Sequence, residues 1–379
     1  MREAVIVEAV RLPVGRRNGI YSDTRSEYLL SSVLKGLIEQ SGMNAKEVQD
    51  VIVGSVTQTN EQGNNIARIA TLMAGLPEEV PAMTLNRKCG SSQHAVNLAA
   101  QGVISGDFDV VIAAGIENMT RHPMGSDKVP EPKELEELYE IVPQGESAER
   151  IADRWGLSRE ELDEFAVRSH HLAHKATLNG DFEREILPVE VEKDGENITV
   201  TRDEGVRPNS TLEKLSGLKS VFREGGKITA GNASQISDGA AAVLIMSREK
   251  AEELGLKPRA RIIARDVIGS NPTMMLTGII PLTKRILKKA NLTVDEIGIF
   301  ECNEAFSSVV LSWEKELKPN MDKVNPRGGA IALGHPTGAS GARIMTTLLH
   351  ELEDFDQRYG LQVMCCGGGM ATATIIEKL

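Results

Sequence analysis

Leu34–Val48 reads LKGLIEQSGMNAKEV, and Thr283–Ile297 reads TKRILKKANLTVDEI. Each stretch carries an amphipathic helical pattern, then a Gly or Asn that suits a left-handed helix stop, then a polar turn entering an apolar run. A second pair stands in the same relation. Cys89-Gly90-Ser91-Ser92 opens a helical stretch ending near Gly106, which feeds the apolar run 109–114 and closes on Gly115. Gly338-Ala339-Ser340-Gly341 opens another ending near Glu351, which feeds 361–366 and closes on Gly367. Both pairs are offset by about 250 residues, as two similar halves of one chain require. Two unrelated segments could match once by chance, but a shared offset points to duplication.

The apolar runs Val51-Ile52-Val53, Val110-Val111-Ile112-Ala113-Ala114 and Val363-Met364-Cys365-Cys366 are short, continuous and bounded by Gly. Strands buried on both faces look like this, and helical patterns of about a dozen residues lie between them. The alternation implies a layered α/β architecture, with sheets sandwiched by helices. At 379 residues the chain exceeds one ordinary core and fits two or three domains.

Between the halves, roughly 118–245, the character changes. Lys128–Glu140 is rich in Pro and Glu and reads as a solvated loop or short acidic helix. Ser158-Arg159-Glu160-Glu161 is a capping-box signature, predicting a helix that stops at Asn179-Gly180. His170 and His174 lie one turn apart on it, but no nearby carboxylate or thiol motif completes a ligand set, so no metal is expected. The region reads as an excursion over the core, suited to covering a ligand.

A net charge of −11 argues against a general nucleic-acid binder, which needs a surplus of Lys and Arg against phosphate. No run approaches the roughly 18 continuous apolar residues of a membrane span. Met1–Val10 reads as a strand that begins at once, without an apolar signal region. The cysteines stand at 89, 302, 365 and 366, and the adjacent pair would strain any mutual disulfide. A reducing, cytoplasmic setting is therefore expected, in which an unpaired Cys is ordinarily an inert core filler.

Four polar or Gly-rich segments fall where apolar strands end: Asn86–Ser92, Asn303-Glu304-Ala305-Phe306, GGAIALGHPTGASGAR over Gly328–Arg343, and Cys365-Cys366-Gly367-Gly368-Gly369. A thiol at a helix N-terminus meets unpaired N–H groups and the positive end of the helix dipole, which favour thiolate, and Cys89 has that position. A thiolate suits thioester chemistry because the product is another thioester of similar energy. The glycines near 328–341 and 367–369 let backbone approach a ligand and leave N–H groups free for a developing oxyanion.

Over its whole length the sequence resembles the thiolase family. The Cys-bearing segment, NEAF, the GGAIALGHPTGASGAR run and the CxGGG ending follow the family's order, and Ile228–Ser234 with Ser237-Asp238-Gly239 is similar to its substrate-cavity motif. The resemblance implies an α/β, duplicated thiolase-type fold with a five-layered α-β-α-β-α core and an inserted loop domain. It divides the chain into an N-terminal half of 1–117 and 238–249, a loop domain of 118–237 and a C-terminal half of 250–379. It makes Cys89 the acylated nucleophile, His335 its base and Cys365 the acid/base at the α-carbon or the departing thiol. Asn303 would hold a water that joins His335 in one oxyanion site, and the N–H groups of Cys89 and Gly367 would form the other. Arg207 and Phe222 would lie near the nucleotide end of coenzyme A and Ser234 along its pantetheine arm, with Ala230, Ala305 and Phe306 lining the cavity. Coenzyme A enters as substrate and product, no tightly bound cofactor or metal is implied, and a homodimer or homotetramer is expected.

Three departures from the family pattern stand out. Cys366 replaces a common aliphatic residue, so two thiols compete for one role, and motif order favours Cys365. Gly90-Ser91-Ser92 follows the nucleophile in place of a Ser-Ser-Gly type. The segment at about 120–145 is short and Gln144-Gly145 stands where a Met-Gly pair is common, which predicts room for medium or longer acyl chains unless Gln144 and Glu146 face the pocket. A ketoacyl synthase-like condensing enzyme would share the duplicated core but lack the second catalytic Cys. A non-catalytic acyl-CoA or lipid binder on this scaffold would have lost Cys89 or His335, and both are present.

Overall fold

The computed structural model describes residues 2–379. From one edge to the other, its main sheet runs Ala82–Leu85, Asp50–Gly54, Val110–Asn118, Ser237–Ser247, Ala4–Arg11, Ala260–Gly269, Met370–Lys378, Tyr359–Cys366 and Ile299–Cys302. This path is two half-sheets joined narrowly, where Val5 and Ile6 pair with Arg261 and Ala260. In the first half, Asp50–Gly54 is parallel to Val110–Asn118, which is antiparallel to Ser237–Ser247. The second half repeats this: Ile299–Cys302 is parallel to Tyr359–Cys366, which is antiparallel to Met370–Lys378. Where the first half adds the parallel edge strand Ala82–Leu85, the second has a single parallel bridge from Phe300 to Val324.

Helices Ser91–Ser105 and Ser340–Asp354 pack on each other between the half-sheets. The contact is close enough that Ser92 Oγ accepts the Ala342 N–H at 2.9 Å, and a Cβ on Gly341 would come within 2.1 Å of the Gln93 nitrogen. Val96, Val103, Leu348 and Leu352 from these helices meet Ile6, Val111, Val243, Ile262 and Ile376 from both half-sheets in one buried cluster. Each such side chain contributes about 1.5–3 kcal/mol by leaving water. Helices Ser26–Ser41 and Ile66–Met73 cover the outer face of the first half-sheet, and Ile279–Ala290 and Ser307–Leu317 that of the second. The five expected layers are therefore present, and the helix expected to end near Glu351 continues to Asp354.

Residues 119–236 leave the first half-sheet after Val110–Asn118 and return at its neighbour Ser237–Ser247. Helix Arg159–Asn179 begins with the predicted capping box: Ser158 Oγ accepts the Glu161 N–H at 3.1 Å and the Glu161 carboxylate accepts the Ser158 N–H at 2.6 Å. It stops at Gly180, whose φ of 79° is left-handed. The acidic stretch forms only the short helix Lys133–Leu138, which buries nothing. Two buried ties fasten the excursion. Arg11, fully buried in the first half, pairs with Glu185 at 2.6 Å and Asp203 at 2.7 Å. Glu304 in the second half accepts from Ser169 Oγ at 2.6 Å, and also from Asn325 Nδ2 at 2.9 Å and the Ile331 N–H at 3.2 Å. Among the described residues no helix is long and apolar enough to cross a membrane.

Candidate active site

After strand Ala82–Leu85 the chain turns sharply through Lys88, whose φ of 50° is left-handed. Ser91 holds the turn: its Oγ accepts the Arg87 N–H at 2.8 Å and donates to the Lys88 carbonyl at 2.6 Å. Cys89 is thereby set just ahead of helix Ser91–Ser105, capped by Gly90. Only glycine fits next, because a Cβ on Gly90 would lie 2.7 Å from Cys366 Sγ. The expected pull of the helix terminus toward thiolate is outweighed. Burial pushes the Cys89 thiol up to about 11, against the N–H groups of Gly367 and of Cys89 itself, which meet the sulfur and lower it. Desolvating a charge costs more than these contacts return, so the resting group is a thiol.

His335 lies between the short helix Ala330–Leu333 and helix Ser340–Asp354. Its N–H donates to the Gln235 carbonyl at 3.2 Å and to Ser237 Oγ at 3.3 Å. Its Nδ1 stands 2.6 Å from Ser340 Oγ, whose single proton goes to the Pro336 carbonyl at 2.8 Å. Nδ1 must therefore be the protonated nitrogen, by this hydrogen-bond pattern, and Nε2 keeps a bare lone pair. Asn303 Nδ2 is 3.4 Å from Nε2, and Asn303 Oδ1 is buried without a partner among the described residues. Burial, then the charge of Arg343, push His335 down to about 3, so it is neutral. The following loop is held by buried Glu117, which accepts from Thr337 Oγ1 at 3.1 Å and from the N–H groups of Gly338, Val56 and Thr57 at 2.9, 2.9 and 3.0 Å.

At the end of strand Tyr359–Cys366, alternate residues face opposite ways. Cys365 opens into the cavity, whereas Cys366 is turned against Gly90 and Thr372. Burial, then the neighbouring sulfurs of Cys89, Cys366 and Cys302, push the Cys365 thiol far above its ordinary range, so it stands protonated. Gly368 and Gly369 continue with φ of 78° and 77°, which turn the backbone back into the final strand.

One cavity of about 850 Å³ gathers Cys89, His335, Cys365, Arg207, Phe222, Ala230, Ser234, Ala305 and Phe306. Asn303 and Gly367 are buried beside it, Asn303 against His335 and Gly367 against Cys89. Arg207 is exposed, and its backbone N–H donates to His170 Nδ1 at 3.1 Å. Phe222, 43% exposed, meets Phe306 edge-on at 6.0 Å. Of the two polar residues in doubt, Gln144 lines the cavity, and Glu146 is turned away to Arg150 at 3.0 Å and Arg223 at 2.7 Å. Sequence reasoning missed Arg16, Arg17, Met119, Met124, Glu204 and Thr337 in the wall. It also missed Ser340 and Glu117 behind it. Glu117 left a signal, a carboxylate ending the apolar run VVIAAGIEN, and Thr337 and Ser340 fall inside the run Gly328–Arg343; Arg16, Arg17, Met119, Met124 and Glu204 carry no local pattern.

A protonated thiol beside a neutral imidazole with a bare Nε2, a second thiol, and backbone N–H donors around one cavity define an enzyme of acyl transfer through sulfur. The chain belongs to the thiolase family: the description "Thiolase, N-terminal domain" matches residues 4–249, and "Thiolase, C-terminal domain" matches residues 256–378. It is 44% identical over 392 residues, covering 100% of this chain and 95% of the relative, to the steroid 3-ketoacyl-CoA thiolase FadA6 of Mycobacterium tuberculosis. It is 42% identical over 393 residues, with both chains covered fully, to a probable acetyl-CoA acyltransferase of Staphylococcus aureus. Among solved structures, the Bacillus anthracis acetyl-CoA acetyltransferase superposes with a TM-score of 0.93 at 37% identity, over 100% of this chain and 99% of that one. Human mitochondrial 3-ketoacyl-CoA thiolase does so with a TM-score of 0.93 at 35% identity and the same coverage. The chain is thus an acyltransferase whose substrates are coenzyme A thioesters.

Proposed function

We propose that the enzyme cleaves 3-ketoacyl-CoA by thiolysis through an acyl group on Cys89, and runs the reverse condensation at the same site. His335 Nε2 takes the Cys89 proton as the sulfur attacks the 3-keto carbon. The N–H groups of Cys89 and Gly367 receive the resulting oxyanion. Collapse breaks the bond between C2 and C3, and the Cys365 thiol gives its proton to the C2 carbanion, releasing acetyl-CoA. A fresh coenzyme A then yields its thiol proton to the Cys365 thiolate and attacks the acyl-Cys89 carbonyl. The Cys89 sulfur leaves, regaining its proton from His335. His335 and a water held by Asn303 serve as the second oxyanion site, at the thioester oxygen. The observation that carries this reading is that Cys89, Cys365 and His335 open into one cavity.

Arg207, Phe222 and Ser234 contact coenzyme A in this reading, and Ala230, Ala305 and Phe306 line its path. The chain divides at 118, 238 and 250, with 118–237 as the cover. Degradative thiolysis is the direction we favour, with acyl groups of medium or greater length accepted beside acetoacetyl-CoA; the short segment at 120–145 supports this. The four free thiols suit a reducing cytoplasm. A homodimer or homotetramer is supported by the open edge strand Ala82–Leu85 and by exposed Leu72, Met73 and Met83 beside it.

Incubation with acetoacetyl-CoA should leave one acetyl group on the peptide containing Cys89, read by intact mass and peptide mapping. Cys89→Ala should lose turnover by at least about 10⁴-fold. A label on another residue, or turnover surviving in that variant, would reject the mechanism.

A further inference from the structure

Among the described residues two carboxamides line the cavity: Gln235, whose Nε2 donates to the carbonyls of Gly205, Ile331 and Ala332, and Gln144, which stands unpaired beside Gly367. It begins helix Gln144–Arg154 directly after Pro143 and faces the cavity. Its Nε2 lies 2.6 Å from where a Cβ on Gly367 would stand, and Gly367 is the residue whose N–H meets the Cys89 sulfur. The amide therefore sits beside the point where an acyl group would be attached. No described residue hydrogen-bonds it, although the rest of its helical turn is firmly tied. Gly145 lies under the Phe222 ring so closely that a Cβ would come within 2.1 Å of it. Glu146 is paired outward with Arg150 and Arg223, and Glu149 accepts the N–H groups of Lys227 at 2.8 Å and Ile228 at 2.9 Å.

A fixed amide with free donors and acceptors discriminates strongly between ligands. An alkyl chain strips it of water and gives nothing back, whereas a chain oxygen replaces the lost hydrogen bond. We propose that Gln144 is a specificity-determining residue that hydrogen-bonds an oxygen function on the acyl group, so that the preferred substrates are 3-ketoacyl-CoA thioesters with oxygenated rather than plain alkyl chains. This rests on the thiolytic reading above, and it narrows the expectation of long-chain breadth drawn from the short cover: chain length is tolerated where the chain carries an oxygen near its reacting end.

The test compares kcat/KM for thiolysis of 3-oxooctanoyl-CoA with its 5-oxa and 7-oxa analogues, in which one methylene is replaced by oxygen and shape is kept. The native enzyme should favour at least one oxa analogue by about tenfold, and Gln144→Met and Gln144→Leu should bring that ratio close to one. A ratio cancels any general loss of activity in the variants. No preference for oxygen in the native enzyme would overturn the proposal. So would a preference that survives both substitutions, including the case where every substrate slows alike, which would make Gln144 a donor to the oxyanion instead. Absence of thiolysis with all three substrates and with acetoacetyl-CoA would overturn the thiolytic reading itself, and this one with it.

Discussion

Helices Ser91–Ser105 and Ser340–Asp354 hold the same place in the two halves and start side by side, yet their first serines act on different partners. Ser91 turns its hydroxyl into the backbone, fixing the Arg87–Lys88 turn that carries Cys89. Ser340 turns its hydroxyl to the His335 imidazole and fixes its tautomer. The strand ends diverge too. By the offset of 249 that relates Ser91 to Ser340, Glu117 corresponds to Cys366, and Cys365 to Ile116, which like it lies on the outer face of its half-sheet. Glu117 ties loops from both halves together, while Cys366 packs against Gly90 and its neighbour Cys365 opens into the cavity. A duplicated scaffold thus supplies like positions, and the proposed chemistry divides from the framework between equivalents, Ser340 from Ser91, or one residue apart, Cys365 from Cys366.

The sharpest test of that division is at the second strand end. Cys365→Ala should lower thiolysis at least about a hundredfold, as for a lost general acid/base. Cys366→Ala removes only a packed sulfur against Gly90 and should change kcat by less than about threefold. The reverse ranking would transfer the role to Cys366.

The serine pair comes next. Ser340→Ala removes the group that holds the proton on Nδ1, and should lower kcat about tenfold with KM little changed. Ser91→Ala leaves the imidazole untouched: the shape of its kcat–pH profile should stay native while thermal or denaturant unfolding shows a loss of about 1 kcal/mol. Equal losses of kcat in the two variants would erase the distinction.

The smallest effect expected is with pH. In the proposed mechanism neutral His335 is the base, and its protonation is pushed down to about 3, so that base survives well into the acid range. Between pH 7 and pH 5, kcat/KM should fall less than about twofold, where an imidazole at its ordinary value of about 6.5 would lose about 25-fold. A half-maximal point near pH 6.5 would mean that His335 is more hydrated than its burial implies.

Much of this was legible in the order of residues. Helix stops, the capping box at Ser158 and the Gly-bounded runs depend on neighbours a few positions away, so sequence exposes them directly. The paired offsets exposed the duplication, since each copy had to keep its own pattern. Cys89, His335 and Cys365 stood out because glycines around them mark backbone that must turn tightly or approach a ligand.

What the tertiary structure alone decided depends on distance through space. The Cys89 thiol was expected to lean toward thiolate from its place ahead of a helix, and burial by remote strands reversed that. Gln144 and Glu146 are two residues apart, and only the packing of Phe222, Arg150 and Arg223 determines that the first faces the cavity and the second does not. The five donors on Glu117, Gln62 Nε2 at 2.9 Å being the fifth, arise where segments far apart in the chain meet, and so does the burial that keeps His335 neutral. Local sequence fixes which conformations a segment prefers, whereas desolvation and hydrogen-bond partnership are set by everything else that packs around it.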